Sequence, residues 1–322
     1  MSETKTIGIL TSGGDAPGMN AAIRSVARTA LNLGYKVMGI KRGYHGLLKG
    51  EIEELTSRMV SDTLQRGGTF LQTARSKSFA TDEGVTKAVE ILKIFGIDAL
   101  VVIGGDGSLK GARDIANKGF PVIGIPGTID NDIGCSEYTI GFDTAMNTAM
   151  EAIDKIRDTA SSHERCSVVE VMGRNAGHIA LNLGLANGAE TVIIPEMPYD
   201  MDDIKRTIIS GRNRGKKHYI IILSEGVGGG QALCKDIEEA TGVESRASIL
   251  GYIQRGGSPT TRDRVIASQM GYHAVKLLEA GSYNRVVAMK DSKIVDYEIN
   301  EALDMKKGVD EDILELIRTL SI

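Results

Sequence analysis

Short runs of β-branched residues, apolar on successive positions and separated by stretches of helical period, constrain this chain more than any other feature. The runs are "TIGIL", "KVMGI", "ALVVIGG", "PVIGIPG", "CSVVEVMG", "TVIIP", "HYIIILSEG" and "RVVAMK". A strand with one face in water alternates apolar and polar residues, whereas a strand covered by helices on both faces does not. The repetition therefore predicts an α/β protein with mainly parallel sheets. Of the intervening stretches, "GMNAAIRSVARTALNLG" sets Ile23, Val26, Ala27, Ala30 and Leu33 on one helical face and Arg24 and Arg28 a turn apart on another. "DEGVTKAVEILKIFG" repeats the arrangement, with acidic residues in its first turn to suit the helix dipole.

At 322 residues the chain exceeds what a single core usually supports, so two domains are expected, with a boundary near residue 138 and a strand-and-helix set on either side. A formal net charge of -4 leaves no footprint for nucleic acid or an anionic membrane, and any anion site must come from local arginines and lysines. Cys135, Cys166 and Cys234 are odd in number and widely spaced, which suggests neither a disulfide frame nor a zinc site and fits a reducing cytoplasm. The start "MSETKTIGIL" has no leader pattern, and no run of about 18 apolar residues follows, so the expectation is a cytoplasmic chain that neither enters nor crosses a membrane.

In open α/β sheets ligands sit outside the carboxyl ends of the strands, and several ends here are rich in glycine. "TSGGDAPGMN" follows the first strand; Gly13 and Gly14 let backbone approach a phosphate at the start of a helix. The spacing is neither that of a dinucleotide fingerprint nor that of a P-loop. The second strand ends in Lys41 and Arg42 instead of the acid that would hold an NAD ribose, which disfavours a dinucleotide oxidoreductase, although a 2'-phosphorylated cofactor would tolerate these cations.

"VVIGGDGSLKG" ends a strand on Asp106 between glycines. Gly104, Gly105 and Gly107 are expected to take conformations closed to other residues, and Ser108 to start the next helix. A carboxylate there would repel phosphate unless a cation stood between them, so Asp106 reads as a Mg²⁺ partner in a nucleoside triphosphate site. "PGTIDNDIG" sets Thr128, Asp130 and Asp132 in the turn after the next strand, where one carboxylate can take the proton of an attacking hydroxyl and another can orient it or meet a metal. A helix cap and an Asx turn are the structural alternatives for these two motifs. Gly173 and Arg174, Glu225, Arg165, Arg246, Arg255 and Arg75 fall near further glycine-rich turns, a setting that favours bidentate phosphate clamps over solvated surface arginines.

Taken together, "TSGGDAPGMNAAIR", "GGDGS", "PGTIDND", "TIGFDTA", "VEVMGR", "GKKH" and "IQRGGSP" resemble the bacterial-type ATP-dependent 6-phosphofructokinase family, in that family's order and over essentially the whole chain. The resemblance implies two Rossmann-like three-layer domains, residues 1–138 plus about 252–304 binding ATP and 139–251 plus about 305–322 binding the sugar phosphate. It also implies a homotetramer that uses MgATP to phosphorylate fructose 6-phosphate at O1, the committed step of glycolysis. Gly14, Arg75, Ser76, Gly105, Asp106, Gly107 and Ser108 would bind ATP, with Asp106 near Mg²⁺. Asp130 would be the general base, with Thr128, Asp132 and Arg174 completing the catalytic set. Ile129, Met172, Gly173, Glu225, Tyr252 and Arg255 would contact the sugar phosphate, with Arg165 and Arg246 supplied by an adjacent subunit. Arg24, Arg28, Asp62, Arg157, Gly188, Glu190, Arg214, Lys216, Lys217 and His218 would form an effector site for ADP or phosphoenolpyruvate.

Glycine at 107 and 127 departs from the acidic residue and lysine of the family's pyrophosphate-using branch, so ATP is the expected donor. Tyr252 stands where the family usually has a histidine, His178 where an aspartate is common, and Ser57 where an effector-site arginine is common. A kinase for another ketose phosphate and a non-catalytic nucleotide-sensing subunit are the alternatives.

Overall fold

A computed structural model describes residues 5–321, which form two compact units, residues 5–144 with 255–307 and residues 145–254 with 308–321. The first unit opens with β1 (Thr6–Ser12), α1 (Met19–Asn32), β2 (Lys36–Ile40), α2 (Gly43–Leu47), β3 (Ile52–Glu54) and α3 (Asp82–Ile94). It continues through β4 (Ala99–Gly104), α4 (Asp106–Asn117) and β5 (Val122–Pro126) into α5 (Phe142–His163), which carries the chain into the second unit. There β6 (Cys166–Val171), α6 (His178–Asn187), β7 (Thr191–Ile193), α7 (Met201–Asn213), β8 (Tyr219–Ser224), α8 (Gly230–Thr241) and β9 (Ser245–Ile249) follow. The chain returns to the first unit for α9 (Thr261–Glu279), β10 (Arg285–Lys290), β11 (Lys293–Glu298) and α10 (Ile299–Asp304), and ends in the second with α11 (Glu311–Leu320).

All eight apolar runs are strands. In the first unit they form most of a seven-stranded sheet of order β11-β10-β5-β4-β1-β2-β3, parallel except where β3 and β11 close its edges antiparallel. Leu100 and Val102 of β4 face a core built with Val85, Ala88 and Leu92 of α3 and Leu109, Ala112 and Ile115 of α4. The intervening Val101 and Ile103 point to the opposite face and are buried just as completely. Burial on both faces is the physical cause of the unbroken apolar runs.

The second unit holds a four-stranded parallel sheet, β7-β8-β6-β9. Its core joins Val168 of β6 and Ile221 and Leu223 of β8 to Ile204 and Ile208 of α7 and Leu233 and Ile237 of α8. Cys135, Cys166 and Cys234 are buried free thiols, and burial pushes Cys166 up to about 12. Among the described residues no helix is long and apolar enough to cross a membrane.

Candidate active site

The strand order of the first unit reverses at β1 and β4, since the chain runs from β1 outward to β2 on one side and from β4 to β5 on the other. Loops leaving a sheet at such a point open a crevice for a ligand. On the β1 side Gly13 has φ +85°, a left-handed conformation that suits glycine. Gly14 lies under Arg255; a Cβ on it would stand 2.5 Å from the guanidinium, which donates to the Asp15 carbonyl at 3.2 Å. The segment carrying Arg75 and Ser76 is folded onto this loop, because Thr73 donates to the Gly13 carbonyl at 2.8 Å and Thr11 to that of Gln72 at 3.0 Å.

On the β4 side two expectations need correction. Helix α4 begins at Asp106, capped by Gly105, and Ser108 is a buried member of its first turn, not its start. Nor do Gly104, Gly105 and Gly107 adopt positive φ. Gly104 is required for room: a Cβ there would lie 2.5 Å from the Ser12 carbonyl oxygen and 2.6 Å from the Ser108 side chain. At Gly107, by contrast, a Cβ would meet nothing within 4 Å, so this exposed position borders open space at the positive end of α4. Asp106 is partly exposed and pairs with Lys110 one turn on, at 2.7 Å.

Beside it, Gly127 donates to the Gly104 carbonyl at 2.9 Å, which brings the turn after β5 against that after β4. A Cβ on Gly105 would sit 3.4 Å from that of Thr128, and one on Gly127 3.1 Å from Ile103 and 3.3 Å from Met19. Asp130 is 4% exposed and its amide donates to Thr128 Oγ1 at 3.2 Å. Asn131, at φ +52°, turns the chain between the two aspartates. Ile129 is fully buried.

In the second unit, β6 and β8 end side by side. Glu225 accepts the amides of Gly173 and Arg174 at 3.2 and 2.7 Å, holding Arg174 at φ +58° with its side chain exposed. Met172 is buried, and its amide donates to Gln254 at 2.8 Å. Gln254, wholly buried, is a positioning residue inside the "IQRGGSP" motif, where the sequence singles out only Arg255. Tyr252 is 83% exposed, and His178 is buried at the start of α6.

Arg165 and Arg246 do not lie in glycine-rich turns. Arg165 directly precedes β6 and Arg246 lies in β9, and Glu244 pairs with both, with Arg165 at 2.9 Å. The hydrogen bond from Arg165 and the charges of both arginines hold the Glu244 carboxyl below its usual range. The two arginines thus stand together at the opposite end of β6 from Met172–Arg174. A six-residue strand spans roughly 20 Å, so within one chain these groups do not converge.

The residues expected at an effector site divide between the units. Arg24, Arg28 and Asp62 are in the first, where partial burial and then the charge of Arg28 lower the pKa of Arg24. In the second, Glu190 is buried, pairs with Lys216 and accepts the amide of Ile220. Arg157 donates to the Asn187 carbonyl beside Gly188, and Lys217 pairs with Glu164 at 2.7 Å. Arg214 caps α7, with His218 four residues beyond. Ser57 and Arg58 are exposed. Lys41 and Arg42 pair with Glu53 and Glu51.

Paired glycine loops at a switch point, a helix N-terminus facing open space and a buried carboxylate in the adjoining turn define an α/β protein equipped for phosphoryl chemistry. The Phosphofructokinase family pattern matches residues 6–278, and the chain belongs to that family. It is 56% identical over 317 residues to the ATP-dependent 6-phosphofructokinase of Clostridium botulinum (strain Hall), covering 98% of this chain and 99% of that one. Its fold matches a phosphofructokinase structure from Saccharomyces cerevisiae with a TM-score of 0.87 and 34% identity, covering 99% of this chain but only 48% of the yeast chain. A pyrophosphate-dependent phosphofructokinase from Marinobacter aquaeolei shares the fold at a TM-score of 0.83 and 23% identity, covering 97% of this chain and 91% of that one.

Proposed function

We propose that this enzyme transfers the γ-phosphoryl group of MgATP to O1 of fructose 6-phosphate, giving fructose 1,6-bisphosphate and ADP. The observation that carries the reading is the contact of the two turns after β4 and β5, which sets the open head of α4 beside the Thr128–Asp132 turn. The near full-length identity to a protein of that name supports the substrates.

The first unit binds the nucleotide. Backbone donors around Gly14, Gly105 and Gly107, the N-terminus of α4, and Arg75, Ser76 and Ser108 receive its phosphates. Among the described residues no three carboxylate, histidine or cysteine side chains gather as a metal cage. Asp106 would be the protein's contribution to holding magnesium that arrives with the nucleotide. Bound there, the ion neutralises phosphate charge during transfer.

Asp130 accepts the proton of the O1 hydroxyl, and Thr128 and Asp132 orient that hydroxyl. The second unit holds the sugar phosphate: Met172, Gly173 and Glu225 position it, and Arg174 counters the charge of the transferring group. Tyr252 and Arg255 meet the 6-phosphate of the substrate bound in their own subunit, while Arg165 and Arg246, at the far strand ends, grip that of a neighbouring subunit's substrate. That division of labour supports a homotetramer. ADP and phosphoenolpyruvate act at Arg24, Arg28, Asp62, Arg157, Gly188, Glu190, Arg214, Lys216, Lys217 and His218. Three buried thiols and the absence of disulfides among them support a cytoplasmic location. Tyr252 brings no positive charge to the phosphate, and it keeps another ketose phosphate as the second reading.

Asp130→Ala tests the assignment. Turnover should fall by about 10²- to 10⁴-fold, the loss expected for a general base, with KM for both substrates little changed. Near-normal turnover would overturn it.

A further inference from the structure

Lys307 is the last residue of the first unit, beyond the end of α10 and far in sequence from any strand-end motif. Its ammonium donates to Asn131 Oδ1 at 2.8 Å, to the Ser136 carbonyl at 2.7 Å and to the Glu137 carbonyl at 3.1 Å. All three acceptors belong to the segment that begins with the Thr128–Asp132 turn. Asn131 also donates to the Glu137 carbonyl at 3.3 Å, and Thr139 donates to the Thr128 carbonyl at 2.7 Å. The turn is thereby closed on itself, with Lys307 at its hub.

Two further contacts fix the same segment. A Cβ on Gly134 would lie 1.9 Å from the Met305 carbonyl oxygen, so the two backbones touch here. On the other flank Met289 donates to Ser136 Oγ at 2.9 Å, and Glu137 donates to the Met289 carbonyl at 2.9 Å. Lysine is suited to this place because its three protons match three acceptors, and a charged donor makes each bond stronger than a neutral one would. The groups whose charge acts on it are Asp132, Cys135 and Glu137. Burial lowers its pKa to about 8 despite these neighbours, a cost that the three hydrogen bonds offset.

We propose that Lys307 is a positioning residue for catalysis, holding the Thr128–Asp132 turn in the geometry that presents Asp130 to the acceptor hydroxyl. It touches no substrate in this role and acts through the turn. The inference rests on the reading of Asp130 as the base. Misplacing a reacting group by about 1 Å costs on the order of 10²-fold in rate, which sets the scale of the effect.

The test compares Lys307→Met and Lys307→Arg in the wild-type and Asp130→Ala backgrounds, by kcat, KM and thermal midpoint. Lys307→Met should lower kcat by about ten- to a hundredfold with KM for MgATP within about twofold, and Lys307→Arg should restore most of the rate. In the Asp130→Ala background the same change should cost less than about twofold, because the group it positions is gone. A kcat within twofold of wild type in Lys307→Met, or an equal loss in both backgrounds, would overturn the proposal. Normal turnover in Asp130→Ala alone would instead remove the base assignment beneath it. Lys307→Gln, which keeps a donor without the charge, gives the same comparison if Lys307→Met does not fold.

Discussion

Gly107→Asp separates folding from donor binding, because the structure gives the two effects opposite signs. The position is exposed, lies in the first turn of α4, and offers an added side chain nothing to collide with inside 4 Å. Replacing glycine in a helix recovers a few tenths of a kcal/mol, and an acidic residue at a helix N-terminus adds about 0.3–1 kcal/mol. The fold should therefore be unharmed or slightly stabilised. A carboxylate there would stand roughly 5 Å from a phosphate docked on the helix end, and at an effective dielectric of about 20 two unit charges at that distance repel by about 3 kcal/mol. Screening by salt and magnesium reduces this to about 1.5–3 kcal/mol, or roughly ten- to a hundredfold in affinity. Initial rates at varied MgATP should show KM raised by that factor, with KM for fructose 6-phosphate and the thermal midpoint preserved. A KM for MgATP within twofold of wild type would refute the placement of the phosphates at this helix end.

Three other outcomes follow from the same geometry. Gly104→Ala forces a methyl group against the Ser12 carbonyl and the Ser108 side chain, an overpacking worth about 1–3 kcal/mol, and a calorimetric midpoint lowered by several degrees is the expected reading. Tyr252→His leaves the fold intact at so exposed a position and supplies a charge to the sugar phosphate; KM for fructose 6-phosphate should fall, more at pH 6 than at pH 8. Lys307 has a folded pKa of about 8 against 10.5 when unfolded. Below about pH 8 both states carry the charge and the full burial cost stands; between about 8 and 10.5 the folded state releases the proton first, and stability contributed by this residue rises. Denaturant unfolding of wild type and Lys307→Met should show the difference shifting toward wild type across that window, and a constant difference would contradict the assignment.

The sheet was legible because burial on both faces writes itself into successive apolar residues. Three strands escaped that signal for a common reason. β3 and β11 are antiparallel edges with charged residues among their few members, and β9, "SRASI", is a partly exposed edge whose polar content reads as loop. Missing β9 misplaced Arg246 in a turn. The junction of "GGDGS" with "PGTIDND" was readable since both end neighbouring parallel strands. The sequence marks Gly104 as necessary but not why, as it does not distinguish a need for φ from a need for room. Gln254 lies inside "IQRGGSP" without a legible role and Lys307 leaves no trace, because each acts across a long sequence separation through a single side chain with no periodicity to announce it. Tyr44 is similar: stacked on Phe79 at 3.9 Å, it donates to the Ser108 carbonyl and braces the first turn of α4.

The assigned reaction is tested most directly by the initial rate of ADP release from MgATP by the purified wild-type enzyme with and without fructose 6-phosphate. Fast release that depends on the sugar phosphate, with fructose 1,6-bisphosphate formed in equal amount, is the predicted result. Release that is absent, or indifferent to fructose 6-phosphate while another ketose phosphate accelerates it, would contradict the assigned reaction.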